Sequence, residues 1–350
     1  MKVPPAPRQV GGSIASELAR LSAQYAPTPL LDLPQLAERL GVAQVLAKNE
    51  GLRMLGSFKS LGGTYAGLRA LARAANTDIA GLIATRPPRQ PALVCASDGN
   101  HGLAVAAAAR FAGASARVYL HSGVPQARAR RIEAQGAEVV WVRGTYDDAV
   151  DAAAGAAREG AGILVADTTD DPEDAVVRDV MAGYGVMAEE IRHQVAEAGY
   201  RRPTHLFVQA GVGGLAAAMA QGLEGWLAAP GSMVVVEPEA APAVAAALAA
   251  GRPVRVEGDL DTTAEMLSCG EASAPALEVL RRHRVQALCV PEVLLDEAPS
   301  VLRSCGGPLT TSSGSTGLAG AMAVLGGKLS LGSDARILIL VTEAALQDED

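Results

Sequence analysis

Short apolar runs alternate along the 350-residue chain with Ala-rich segments whose apolar positions recur at helical spacing. The runs end repeatedly in Gly-rich turns, the alternation expected of a parallel sheet covered by helices, so the pattern predicts an α/β fold. Strands are expected at Ala92–Ala96, Ala116–Leu120, Glu138–Val142, Leu206–Gln209, Met233–Glu237, Ala287–Val290 and Ile337–Val341. Helices are expected between them at Leu103–Phe111, Gln126–Ala134, Asp147–Ala156, Leu215–Gly222 and Gly317–Val324. A Pro-rich passage at Thr85–Pro91 and an acidic stretch at Asp167–Ala175 interrupt the pattern and bracket its middle. The expected organisation is two lobes of open parallel sheet, a small one over 78–170 inserted in a large one built from 1–77 and 171–350.

Composition narrows the function classes. With 49% hydrophobic residues, a chain of this length can bury a sizeable core. A net charge of −8 without a basic stripe leaves no field to gather phosphate backbones, so nucleic acid is not expected as a partner. No apolar run reaches the roughly 18 residues that span a bilayer, so no membrane partner is expected either. The first residues, MKVPPAPRQVGG, lack the apolar core of a secretory signal, and the expected location is the cytoplasm. Cys95, Cys269, Cys289 and Cys305 form no C-x-x-C pair and read as small packing residues; no metal is expected.

Four Gly-rich stretches stand where strands should hand over to helices, the usual place for ligand sites in open α/β sheets. In GSFKSLGG, Lys59 sits between a turn and a helix start, where a lysine can be partly buried and made nucleophilic. Taken alone, that stretch is more often a solvated lysine at a helix start. In ASDGNHG, Ser97 and the backbone around Gly99 can hold a carboxylate at a helix N-terminus, and Asn100 can bond a ring hydroxyl. The same residues can simply cap the helix. QAGVGGLA follows a strand and opens a helix, so the N–H groups of Gly211, Val212, Gly213 and Gly214 can cradle a phosphate. Read as G-x-G-x-x-A, it also resembles a dinucleotide fingerprint, with Glu237 where a ribose-binding acid would stand. SSGSTG, from Ser312 to Gly317, can line a ring or cap a helix.

Taken in order, GSFKSLGG, SDGNHG, AGVGGL and SSGSTG resemble the fold-type II pyridoxal-phosphate enzymes, the group with a tryptophan synthase β-like fold. The finer wording (KNE, LGGTYA, DGNHG, GAEVVWVRGTYDDAV, DTT with MAGYG, and MLSCGE) is similar to that of the diaminopropionate ammonia-lyases. The resemblance implies pyridoxal 5'-phosphate as cofactor, Lys59 as its Schiff-base lysine, Asn100 as partner of its ring oxygen, and Gly211, Val212, Gly213 and Gly214 as phosphate ligands. It also implies Thr342 facing the pyridine nitrogen, Ser97, Gly99 and His101 at the substrate carboxylate, and Asp98 and Asp167 as acid–base residues. The implied reaction is elimination of the β-substituent of a small amino acid, with 2,3-diaminopropionate going to pyruvate and ammonia, in a homodimer like those common in the family.

Departures bear on the substrate. TSSGS replaces the family's G-E-S-G-A, putting Ser312 at the glutamate position; Asp170 and Glu173 stand where aromatic residues are usual; and N-T-E-G-D is here VTEAA. Threonine or serine dehydration, β-replacement with the same cofactor and, more remotely, a nicotinamide-dependent dehydrogenase remain as alternatives.

Overall fold

The computed structural model describes residues 13–97, 99–325 and 331–345. Among them run ten strands: β1 (Leu30–Asp32), β2 (Gln44–Asn49), β3 (Leu93–Ala96), β4 (Ala116–His121), β5 (Glu138–Val142), β6 (Ile163–Leu164), β7 (His205–Gln209), β8 (Ser232–Pro238), β9 (Gln286–Val290) and β10 (Arg336–Val341). They form a six-stranded sheet in the order β1-β2-β10-β7-β8-β9 and a four-stranded sheet in the order β5-β4-β3-β6. All pairings are parallel except β1 with β2. Chain segments on both sides of the four-stranded sheet contribute to the six-stranded one.

Each of the seven strands expected from the apolar runs is present. β10, with every residue buried, shows why such runs are continuous rather than alternating: a central parallel strand is covered on both faces. β1 and β6 are too short to carry a pattern, and β2 hides behind the polar Lys48 and Asn49 at its end. The expected helices are found at Asn100–Ala112, Gln126–Glu133, Tyr146–Arg158, Gly214–Gly222 and Ser312–Leu325.

Two further helices matter for the site, Lys59–Ala74 and the 23-residue Ala175–Glu197. They cross closely because their contact is made of small residues. A Cβ on Gly62 would lie 2.3 Å from a ring carbon of Tyr184, so no other residue fits there.

The end of β2 is held by a buried ion cluster. Lys48 Nζ donates to Glu190 Oε2 at 2.6 Å, to the Thr28 carbonyl at 2.7 Å and to Gln194 Oε1 at 2.9 Å. Arg53 pairs with Glu50 at 2.8 Å and Glu190 at 2.7 Å. Two cations thus face two carboxylates, which offsets the desolvation that burial imposes on each.

Candidate active site

A cavity open to solvent is lined from both sheets. Its walls come from the carboxyl ends of strands: Ser97 after β3, Asp167 after β6, Gln209 and the glycines after β7, and Thr342 and Glu343 after β10. Parallel strands direct their following turns to one edge, which is why separate Gly-rich stretches meet there.

Lys59 opens the Lys59–Ala74 helix after a turn in which Leu55 (φ 66°) and Gly56 (φ 80°) both take the left-handed conformation. Its Nζ lies 2.5 Å from Asp167 Oδ2. Burial works against the charged amine, yet the Asp167 carboxylate outweighs it and holds Lys59 above the usual lysine range. Burial likewise opposes the charge on Asp167, but the Lys59 ammonium prevails and keeps the carboxyl well below its ordinary value. His101 is buried beside them, its Nε2 2.7 Å from the Val165 carbonyl and its Nδ1 4.0 Å from Asp167 Oδ2. A carbonyl accepts only, so Nε2 carries the hydrogen, and burial, which pushes the ring below its usual pKa, leaves Nδ1 as a lone pair. In this tautomer His101 offers the pocket an acceptor and no N–H.

The glycine stretch after β7 forms the opposite wall. Gly213 has φ 95° and stands immediately before the Gly214–Gly222 helix, and a Cβ there would meet Val244 at 3.1 Å. Among the described residues, the N–H groups of Gly211, Val212 and Gly213 donate to no backbone carbonyl. With the first N–H groups of the helix, they form a backbone-lined cradle of donors suited to a phosphate. Thr342 Oγ1 accepts from Gln209 Nε2 at 3.1 Å, which leaves its own hydrogen to give. Asn100 Nδ2 donates to Glu343 Oε2, and Thr311 Oγ1 donates to Glu343 Oε1 at 2.5 Å.

Ser97 caps as well as lines: its Oγ accepts from Gly99 N at 2.9 Å and Gly102 N at 2.8 Å while facing the cavity. The two readings of ASDGNHG are therefore compatible. Glu237 is fully buried, away from the cavity lining, and its carboxylate takes the N–H groups of Val244 and Ala245 at 2.7 and 2.8 Å, so it does not stand where a ribose could reach it. Ser312 begins its helix, and it is the neighbouring Ser313 that lines the cavity. Asp98 lies outside the described residues.

Sequence reasoning missed Phe58, Tyr146, Tyr184, Gln209, Cys269 and Glu343 in the lining. Tyr184 carries a signal, as the tyrosine of MAGYG, and its ring packs at a tilt of 55° against Phe58 beside the lysine, with centroids 4.8 Å apart. Cys269 departs from the expectation of a purely packing thiol by reaching the cavity wall.

Residues 21–343 match the family described as pyridoxal-phosphate dependent enzyme, and the chain belongs to it. The chain is 32% identical over 360 residues to the diaminopropionate ammonia-lyase of Escherichia coli (strain K12), covering 96% of this chain and 88% of that one. The holo crystal structure of the Escherichia coli ammonia-lyase superposes with a TM-score of 0.84 at 30% identity, over 95% of this chain and 88% of that one. The crystal structure of a threonine deaminase from T.th. superposes with a TM-score of 0.77 at 28% identity, over 96% and 99%. The glycine cradle and the cavity lysine fit the cofactor that defines the family.

Proposed function

We propose that this enzyme eliminates the β-amino group of 2,3-diaminopropionate, giving pyruvate and ammonia. The observation that carries this reading is the Lys59–Asp167 pair facing a glycine cradle, in a chain similar along its length to diaminopropionate ammonia-lyases.

Bound pyridoxal phosphate supplies the electron sink that lets a Cα proton leave. The N–H groups of Gly211, Val212, Gly213 and Gly214 hold its phosphate, Asn100 meets its ring oxygen and Thr342 its ring nitrogen. Because Gln209 donates to Thr342, the hydroxyl can give its own hydrogen to that nitrogen. A neutral hydroxyl does not hold the nitrogen protonated as a carboxylate does, and this favours loss of the β-group over transamination. The Ser97 hydroxyl, whose oxygen accepts from Gly99 and Gly102 and whose hydrogen is left to give, holds the substrate carboxylate beside Gly99, with His101 behind them.

Lys59 is the anchoring lysine and, once freed, the base for the Cα proton of an L-substrate. Asp167 stabilises the ammonium that results. The Asp98 carboxylate attracts the cationic β-ammonium as it would not a hydroxyl, and keeps that amine protonated as it departs. The small lobe, over 78–170, brings the carboxylate-binding residues, while the rest of the chain holds the phosphate. The enzyme acts as a cytoplasmic homodimer; sedimentation gives its mass in solution.

The test is release of ammonia and 2-oxo acid (pyruvate from diaminopropionate and serine, 2-oxobutanoate from threonine) by wild type and Asp98→Asn, with and without added thiol. Preference for diaminopropionate, at two ammonia per pyruvate, and a selective loss in Asp98→Asn support the reading. Ser312 and the likeness to threonine deaminase favour a dehydratase as the second reading. Equal or greater wild-type activity on threonine would decide for it, and a thiol adduct in place of pyruvate would decide for β-replacement.

A further inference from the structure

We propose that Glu343 is a positioning residue whose carboxylate determines which way round the Asn100 carboxamide stands, making Asn100 a donor toward the cofactor's ring oxygen. This rests on the reading of Asn100 given above.

The main chain at Glu343 is pinned. Its carbonyl accepts from Thr310 Oγ1 at 2.6 Å, it bridges Ser57 across an isolated antiparallel pair, and the next N–H, that of Ala344, donates to the Gly56 carbonyl at 3.0 Å. The side chain is therefore delivered to one place, against the turn that precedes Lys59. Both carboxylate oxygens are engaged, Oε1 by the Thr311 hydroxyl and Oε2 by Asn100 Nδ2. Burial pushes the Glu343 carboxyl up, while the bonds from Thr311 and Asn100 and the charges of Arg128 and Arg131 act against that rise.

A carboxylate has no hydrogen to give, so the carboxamide must present its NH2 and not its oxygen. The second hydrogen of that nitrogen is then fixed too, on a side chain that lines the cavity. Half a turn of the carboxamide would instead set two acceptors face to face at Glu343 and offer an acceptor toward a ring oxygen. Glu343→Gln removes this constraint, because a glutamine can donate or accept and so tolerates either orientation. Asn100 comes from the four-stranded sheet's side of the cavity and Glu343 from the six-stranded sheet's, so the orientation is decided across the cleft.

The experiment compares wild type, Glu343→Gln, Asn100→Ala and the double variant. Each is read for the dissociation constant of pyridoxal phosphate, titrated into cofactor-free enzyme, and for the long-wavelength absorption band of the bound cofactor. Loss of one hydrogen bond's net worth predicts that each single variant weakens binding about fivefold, with band shifts in the same direction. The double variant should match Asn100→Ala alone, since Glu343 acts through Asn100. An unchanged Glu343→Gln beside an altered Asn100→Ala overturns the proposal, as does a Glu343→Gln effect that persists undiminished without Asn100. An Asn100→Ala variant that binds and absorbs like wild type overturns the reading of Asn100 itself, and this inference with it. Should Glu343→Gln fail to fold, Thr311→Val, which removes the donor to Oε1, is read in the same way with a smaller effect.

Discussion

The amine of Lys59 and the carboxylate of Asp167 stand 2.5 Å apart at the cavity, although 108 positions separate them in the chain. Each holds the other in its charged form, and both must change charge or partner if Lys59 is to bond a cofactor. Lys59→Ala should therefore abolish covalent attachment. Mass mapping after borohydride reduction should place the adduct on Lys59 in wild type. An adduct on Lys48 would be surprising, since that side chain is enclosed by three acceptors; Lys328 lies outside the described residues.

The same pair predicts a pH dependence. The free amine is the nucleophile, so cofactor capture by the apo-enzyme should accelerate as pH rises, late because Asp167 holds the Lys59 pKa up. In Asp167→Asn the profile should move to lower pH. Stopped-flow absorbance at a series of pH values reads this directly, and coincident profiles would remove Asp167 as the cause.

Stability of the apo-enzyme should follow the pair with opposite signs at its two ends. Asp167 is depressed when folded, so its contribution is present above the ordinary carboxylate pKa of about 4 and is lost as pH falls through the lower folded value. Lys59 is raised, so its contribution is present below the ordinary lysine pKa of about 10.4 and is lost as pH rises through the higher folded value. The stability gap between wild type and Asp167→Asn should thus be widest near neutrality and should close in strong acid, as measured by urea unfolding.

Gly213→Asp should weaken cofactor binding by at least about tenfold, because a carboxylate in the cradle repels phosphate. Gly213→Ala isolates the steric part, since φ 95° and the 3.1 Å approach to Val244 strain any side chain there. Titration of both apo-variants with pyridoxal phosphate separates the two contributions; equal affinities would mean that charge has no part.

Glu190→Ala should cost about 3–5 kcal/mol, because it leaves Lys48 and Arg53 buried against Glu50 alone. Denaturant unfolding measures the loss. A change under about 1 kcal/mol, the worth of an exposed pair, would show that water reaches the cluster.

Local signals were legible in the sequence: the seven apolar runs, the Gly-rich turns at their carboxyl ends, and a lysine at the start of a helix. Each depends on neighbours within a few positions, through periodicity, turn chemistry or capping. The motif order carried the family in the same way. The Ala175–Glu197 helix escaped because Gly183 and Gly185 weaken its propensity, and only packing against Leu61 and Gly62 explains Gly183.

Strand order and loop closure belong to the tertiary structure alone. Seating β10 between β2 and β7 brings Thr342 and Glu343 beside the Lys59 turn and within reach of Asn100, 243 positions from Glu343. It also sets Gln209 against Thr342, while the fold gathers Lys48 and Glu50 of KNE with Arg53 and Glu190, which carry no motif, into one neutral buried cluster. No local pattern encodes such pairings, because a side chain's charge and donor state are decided by what the fold places around it after water has left. The sequence by itself determined which residues could do chemistry at the carboxyl edge of the sheets; the fold decided which of them face one another, and in which protonation state they do so.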